Sequence, residues 1–321
     1  MENSSIRPTP EELEHGVIRL GMPSSGRLAT DAMTIFKGAE LPVERLSERI
    51  NYGKGKRWDD LRAFFMRPDD IATFTAHGAL DLGITAQNLV EEKQVADDVE
   101  VVMEFDFGKC AVVLAAPAGT SLSDLKDGLI ATSHPNIARR FFAGKNITGV
   151  EIVEGRGAIE AFPSLGLAHG IVDITETGTS LRENGLEILA SIMNTRAILV
   201  ASKLLTPAQQ ENIRFIKKSL EGGIEAQKMS KLICRVPNTP QAKASFQAII
   251  NFYSTPMRNY IKSVDQITSE GSLVRFEILC LKSAVSKLFK VLTQGRNGED
   301  KILRPVEGIQ GEINDSVTLI F

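Results

Sequence analysis

Short runs rich in Val, Ile and Leu recur along the first two thirds of the chain, separated by segments of helical periodicity. The runs at 17–22, 61–66, 80–84, 99–105, 110–115, 129–132, 150–153, 171–174 and 197–201 are almost continuously apolar, as strands covered on both faces of a sheet must be. Between them, Leu28, Ala32, Ile35 and Phe36 form an apolar stripe at helical spacing, and Asp69–His77 reads as a helix closed at Gly78. A chain that alternates in this way is expected to be α/β. Capping boxes at Thr9-Pro10-Glu11-Glu12 and Thr206-Pro207-Ala208-Gln209 mark two helix starts, and Thr239-Pro240 opens a third helix through about Phe252. Near Gly222-Gly223 the pattern changes to strand 231–236, helix 240–252, an unassigned stretch 254–271, strand 273–280, helix 281–293 and strand 301–305. That βαββαβ order predicts a small ferredoxin-like α+β domain at the C-terminal end.

Composition narrows the function. With 43% apolar residues in 321, the chain has material for more than one core. Its 37 basic and 40 acidic side chains leave a net charge of -3, which gives no electrostatic case for binding nucleic acid. No window approaches the roughly 18 unbroken apolar residues of a membrane helix, so no membrane partner is expected. The polar, acidic stretch Met1–Glu14 resembles neither a secretory signal nor a transit peptide. Cys110, Cys234 and Cys280 are odd in number and widely spaced, as in a reducing compartment, so the expected localisation is cytoplasmic. His15, His77, His134 and His169 lack metal-ligand spacing, which argues against a zinc enzyme.

The segment richest in chemistry is Ile171-Val172-Asp173-Ile174-Thr175-Glu176-Thr177-Gly178-Thr179-Ser180-Leu181. An apolar strand ends in a carboxylate and runs into a loop of hydroxyls around one glycine, then into a helix start. Backbone N–H groups at such a turn favour an anion, Thr177, Thr179 and Ser180 add donors, and Gly178 lets the backbone come close. With no lysine in the loop and no Walker motif in the chain, the pattern suits a phosphate monoester held by neutral donors. Asp173 and Glu176 would repel phosphate and need other work: accepting hydrogen bonds from ribose hydroxyls, or helping to hold Mg²⁺ beside a pyrophosphate. The bland alternative is a capped helix after a buried strand. A second strand-to-helix junction, Met22-Pro23-Ser24-Ser25-Gly26-Arg27-Leu28, offers an anion site at Ser25 and Gly26 with Arg27 as a bidentate partner; the alternative is a turn with a surface arginine. Arg67-Pro68-Asp69-Asp70 is a third such junction, and Arg139-Arg140 reads by default as a solvated helix face.

Taken together, these segments resemble the ATP phosphoribosyltransferase family, which catalyses the first step of histidine biosynthesis. The resemblance runs through Ile18–Leu28, Arg67-Pro68-Asp69-Asp70-Ile71, Asp81-Leu82-Gly83-Ile84, Asp106-Phe107-Gly108-Lys109-Cys110, Ala131-Thr132-Ser133-His134-Pro135, Ser164-Leu165-Gly166-Leu167-Ala168 and Ile171–Gly185. It implies the long form: a two-lobed, periplasmic-binding-protein-like catalytic core with a C-terminal regulatory domain. Lobe I would be 1–107 and 200–222, lobe II 108–199, and the regulatory domain 223–321. The resemblance places the 5-phosphate of phosphoribosyl pyrophosphate on Glu176, Thr177, Gly178, Thr179 and Ser180. It sets Asp173 at the ribose hydroxyls and Ser25, Gly26, Arg27, Arg49, Arg67 and Asp81 in the ATP and substrate cleft. Asp173 and Arg27 would be the catalytic pair, and Glu160, in Gly157-Ala158-Ile159-Glu160, would join Asp173 in facing Mg²⁺ or ribose. The chain departs from the family where a lysine usually precedes the Gly-Arg pair, since Ser24-Ser25 stand there. Lys54, Lys56 or Arg57 is the expected substitute.

The implied reaction transfers phosphoribose to N1 of ATP and releases pyrophosphate, with Mg²⁺ as cofactor, histidine as feedback inhibitor, and a homo-oligomeric dimer or hexamer as the assembly. Three other readings fit parts of the pattern: a catalytically weakened paralogue that only binds ligands, a two-lobed solute-binding protein, and a different phosphoribosyltransferase.

Overall fold

The computed structural model describes residues 9–47, 50–255, 260–270, 272–294 and 310–314. They divide into two units, residues 1–218 and 219–321. Within the first unit the chain builds two sheets, one for each lobe.

The short helix α1 (Pro10–Glu14) starts at the Thr9 capping box, where Glu12 N–H donates to Thr9 Oγ1 and Thr9 N–H to the Glu12 carboxylate. Lobe I follows as β1 (Ile18–Pro23), α2 (Gly26–Gly38), β2 (Val43–Arg45), β3 (Tyr52–Gly55), β4 (Leu61–Met66), α3 (Pro68–Ala76), β5 (Leu82–Ala86), α4 (Gln87–Glu92) and β6 (Val99–Glu104). Ile18, Leu20 and Met22 of β1 are wholly buried. β1 runs parallel to β4 on one side and to β5 on the other, in register Pro23 with Met66 and Gly21 with Gly83. The β1, β4 and β5 strand ends therefore share one edge, and the junctions 24–27 and 67–68 rise together from it. The crevice beyond the carboxyl ends of parallel strands is where an α/β sheet presents its ligand.

Lobe II is one continuous insertion: β7 (Cys110–Pro117), β8 (Leu129–Thr132), α5 (Pro135–Gly144), β9 (Glu151–Glu154), β10 (Gly170–Thr175), α6 (Thr179–Glu183) and β11 (Leu186–Thr195). Its sheet has the order β11-β7-β10-β8-β9. β8, β9 and β10 are parallel, so the loops at 133–134, 155–157 and 176–178 leave from a common edge. The chain then returns to lobe I as β12 (Ala197–Ser202), antiparallel to both β5 and β6, completing the order β2-β3-β4-β1-β5-β12-β6.

The helix α7 (Pro207–Gln227) begins at the second capping box, with Gln209 N–H on Thr206 Oγ1 and Thr206 N–H on the Gln209 side chain. Gly222 and Gly223, where the sequence pattern changes, lie inside this helix, and the two units divide at 218/219. The second unit comprises β13 (Met229–Pro237), α8 (Pro240–Tyr253), β14 (Ile261–Glu270), β15 (Leu273–Leu281), α9 (Lys282–Gln294) and β16 (Gln310–Asn314). Its strands pair antiparallel in the order β14-β15-β13-β16, the split βαβ arrangement expected from the element order. The strand expected at 301–305 lies outside the described residues, and the fourth strand found is 310–314. Leu232, Cys234 and Val236 of β13 pack with Phe246, Ile249 and Ile250 of α8 and Leu288 of α9 in a core of the unit's own.

Candidate active site

The two strand-end edges of the first unit face each other across a cleft of about 650 Å³. Arg67 and Asp69 on lobe I and Ser133, Glu154 and Arg156 on lobe II are among its walls. Arg67 occupies the N-cap position of α3, with its exposed side chain on that wall.

On lobe II, β10 carries Asp173 two residues before its end at Thr175, and the chain turns through Glu176-Thr177-Gly178 into the five-residue α6. Gly178 has φ +72°, a left-handed conformation that costs any other residue about 1–2 kcal/mol. Its N–H donates to Thr175 Oγ1 at 2.8 Å, which holds the turn closed. Thr177 and Thr179 hydroxyls meet at 3.0 Å, and Ser180 Oγ donates to Glu160 Oε1 at 3.1 Å. The loop also has a cation. Arg182 donates to the Thr177 carbonyl at 3.1 Å and to Thr179 Oγ1 at 3.0 Å, so the donors around the cradle are not all neutral as the sequence suggested.

Asp173 is half-buried, and burial pushes its carboxyl above the ordinary range; the charge of Glu160 pushes the same way, while hydrogen bonds from Ile174 N–H and Ser133 work against both. Ser133 links this acid to a buried network. His134, 4% exposed, meets Ser133 Oγ through Nδ1 at 2.9 Å and Asn88 Nδ2 through Nε2 at 2.7 Å. The tautomer that satisfies both carries its proton on Nδ1. Burial, with Lys93 beside it, lowers the imidazole from 6.5 to about 4. Asn88 is fixed in turn by Thr195, whose hydroxyl donates to Asn88 Oδ1 at 2.8 Å. One helical turn along α4, the buried Glu92 carboxylate accepts Asn136 N–H at 2.9 Å and Ile137 N–H at 3.0 Å at the start of α5. On this side the lobes are joined by buried polar bonds.

On lobe I, Ser25 is the N-cap of α2, but its hydroxyl makes no capping bond, and Gly26 follows at φ +77°. Arg27 reaches over to lobe II and donates to both Glu176 carboxylate oxygens, at 2.8 and 2.7 Å, although neither residue is among the walls of the 650 Å³ cleft. Residues 149 positions apart in sequence thus meet at the phosphate loop. Both ends of this ion pair are exposed, at 69% and 56%, so it contributes little to stability and is open to exchange with a bound anion.

Two expectations are corrected. Asp81 is not in the cleft: it starts the opposite edge of the sheet, 1% exposed, with Oδ2 taken by Arg19 N–H at 2.7 Å and Nε at 2.9 Å and Oδ1 by Arg19 Nη2 at 2.5 Å. It is a buried structural ion pair, and losing one partner would strand the other charge. Lys56 and Arg57 do not cover the missing lysine either, because Lys56 pairs with Glu44 at 3.6 Å and Arg57 pairs with Glu40 past the far end of α2. Lys54 stands opposite Glu44 and Arg62 in the β2–β3–β4 register. The basic side chain beside Ser24 is Arg45, which the sequence reading passed over: its guanidinium lies 4.2 Å over the Phe65 ring, and Nη2 is 3.4 Å from the Ser24 carbonyl. Arg49 lies outside the described residues.

Against known proteins, the family model described as ATP phosphoribosyltransferase matches residues 67–222. An ATP phosphoribosyltransferase of Methanocella arvoryzae is 35% identical over 224 residues, 69% of this chain and 77% of that one. The chain belongs to the ATP phosphoribosyltransferase family. A Methanosarcina acetivorans member of the same name is 35% identical over 237 residues, 73% of this chain and 78% of its own. Among solved structures, an ATP phosphoribosyl transferase complex from Thermotoga maritima superposes with TM-score 0.58 at 31% identity, covering 65% of this chain and 98% of that one. As an ATP phosphoribosyltransferase family member the protein is a pentosyl-transferring enzyme, and the solute-binding reading is set aside.

No three His, Cys, Asp or Glu side chains converge as a metal site among the described residues. The Asp173 and Glu160 carboxylates are close enough for one to raise the other's affinity for protons. Two such acids beside a phosphate cradle fit a Mg²⁺ ion that keeps most of its ligands from water and substrate phosphates. No helix among the described residues is long and apolar enough to cross a membrane.

Proposed function

We propose that the chain transfers phosphoribose from phosphoribosyl pyrophosphate to N1 of ATP, giving phosphoribosyl-ATP and pyrophosphate as the first step of histidine biosynthesis. The observation that carries this reading is the Gly178 loop beside Asp173 on one lobe with Arg27 of the other lobe drawn onto it. The 5-phosphate sits in the loop among Thr177, Thr179 and Ser180, with Arg182 opposing its charge. Asp173 accepts hydrogen bonds from the ribose hydroxyls. Adenine N1 uses its free lone pair to bond C1 as the C1–O bond breaks, and pyrophosphate leaves with that electron pair. The proton then lost from the adenine amino group passes to water, so no side chain has to act as a base. Arg27, released from Glu176, and Arg67 meet the leaving charge, and the lobes hold the two substrates in line. Asp173 and Glu160 would hold Mg²⁺, which supplies charge neutralisation at the departing pyrophosphate when bound.

The second unit, with its own core, supports a regulatory role in which histidine inhibits, and the enzyme acts as a homo-oligomer. The three cysteines stand free, which supports a cytoplasmic setting. The test is a steady-state assay with ATP, phosphoribosyl pyrophosphate and Mg²⁺, following the adenine absorbance change, with and without histidine. Turnover requiring both substrates is expected; its absence in the full-length chain would leave the weakened-paralogue reading standing.

A further inference from the structure

We propose that Arg45 is a substrate-contacting residue of this enzyme: it binds the phosphoanhydride chain of a substrate on lobe I, in the place where Ser24 and Ser25 bring no charge. The proposal rests on the phosphoribosyl-transfer reading above. A pocket of about 500 Å³ opens behind the Ser24–Gly26 junction, and Arg45 is the basic residue of its lining, with Phe65 and Met33 among its apolar walls. That volume exceeds what one phosphate group fills, and no carboxylate is among its described walls.

The arginine is held for this task. Its guanidinium carbon lies 4.2 Å over the Phe65 ring centroid, and the ring shields that side of the charge from water. One edge rests against the Ser24 carbonyl at 3.4 Å, a long contact that uses one donor of five. Its other donors meet no acceptor among the described residues, and it has no carboxylate partner there, in contrast to Arg19, Arg27, Arg57 and Arg62. A half-buried, pre-oriented cation with donors to spare, beside an uncommitted Ser25 hydroxyl, is complementary to a polyanionic chain. Sequence distance hides it: Arg45 lies 21 residues from Ser24 and arrives only because β2 pairs with β3 in register Arg45 to Gly53, beside β4 and β1.

Both substrates carry such a chain, the triphosphate of the nucleotide and the pyrophosphate of the pentosyl donor. The experiment measures binding of inorganic pyrophosphate to the full-length protein by calorimetry, for wild type, Arg45→Gln, Arg45→Met, Arg45→Lys and the double variant Ser24→Lys/Arg45→Gln. Losing one charge-assisted hydrogen bond to an anion predicts about a 10- to 100-fold weaker affinity in Arg45→Gln and Arg45→Met. Melting temperatures should stay put, since methionine still covers Phe65. Arg45→Lys should keep part of the affinity, and Ser24→Lys should restore most of what Arg45→Gln loses, which a purely structural role would not allow. A KM rise confined to one substrate in the turnover assay then says whose chain is bound. Unchanged pyrophosphate affinity in Arg45→Gln, or weakened affinity without rescue by lysine at 24, overturns the proposal. A wild-type chain that binds pyrophosphate through Arg45 but turns over neither substrate would count against the proposed reaction alone.

Discussion

The buried His134 makes stability of the first unit depend on pH between 6.5 and about 4. Its imidazole is lowered from 6.5 to about 4, so the native state prefers the neutral ring. The stabilisation is complete above the ordinary value of 6.5 and is lost as pH falls from there toward 4. At about 1.4 kcal/mol per tenfold change, the whole effect is about 3 kcal/mol, of which about 2 kcal/mol has gone by pH 5. The cause is visible in the bonds: a proton on Nε2 removes the acceptor that Asn88 uses at 2.7 Å and places charge beside Lys93 in a dry site. For a unit of this size that loss corresponds to a fall in Tm of about 4–8 °C between pH 7.5 and 5. Thermal denaturation of wild type and His134→Gln across that range measures it. The variant starts less stable but should lose less of its remaining stability on acidification. If both lose the same amount, the ring is not the titrating group and the assigned tautomer chain is wrong.

Asp173→Asn should lower turnover while raising or preserving Tm at pH 8, because burial and Glu160 raise the carboxyl and make its ionised form a native-state cost; the gain should shrink as pH falls through the carboxylate range, and a Tm lowered at pH 8 contradicts the sign. Gly178→Val, at φ +72°, should weaken phosphoribosyl pyrophosphate binding more than ATP binding in calorimetry and cost about 1–2 kcal/mol of stability; equal affinity for the pentosyl donor removes the loop from the site. Glu92→Gln puts an amide where a carboxylate accepts two N–H groups, and denaturant midpoints should fall by an amount equivalent to about 1–3 kcal/mol; an unshifted midpoint would mean that the bonds between α4 and α5 do not support the fold.

The parallel strands were legible because their runs are almost continuously apolar, interrupted only by Arg62 in 61–66 and closed by Thr132 in 129–132, and both have the same bounds in sequence and structure. β11 was missed because it pairs with β7 through two register shifts, which scramble the alternation an edge strand otherwise shows. β14 hides in the same way behind two shifts of its own, and β2 and β3, at three and four residues, are too short to carry a period. In the site, the segment 173–180 could be read because its donors are consecutive in the chain. Asp81 misled because an acid at a strand end reads alike at either edge, and only the Arg19 contacts tell which edge it occupies. Arg45 and the Asn88–His134 bond gave no one-dimensional signal, since each depends on which elements become neighbours; Arg182 is local, three and five residues from Thr179 and Thr177, but a helical arginine does not by itself show that it turns back onto the loop.

The return of β12 between β5 and β6 has a consequence for how the chain is made. Lobe II, from β7 to β11, is contiguous and can fold as soon as it leaves the ribosome, phosphate loop included. Lobe I has to wait. Until residues 197–202 emerge, β6 has no neighbour in its sheet and β5 presents an open edge, the kind of surface that invites pairing with another chain. The final ties come later still, when Gln209 and Asn212 on α7 donate to the Val17 and Gly16 carbonyls at 3.1 and 2.8 Å. The wall that carries Arg27 is therefore the last part of the first unit to be completed, although its strand is among the first to be synthesised. A nascent chain stopped before residue 197 would hold a finished phosphate loop and no partner lobe to close on it.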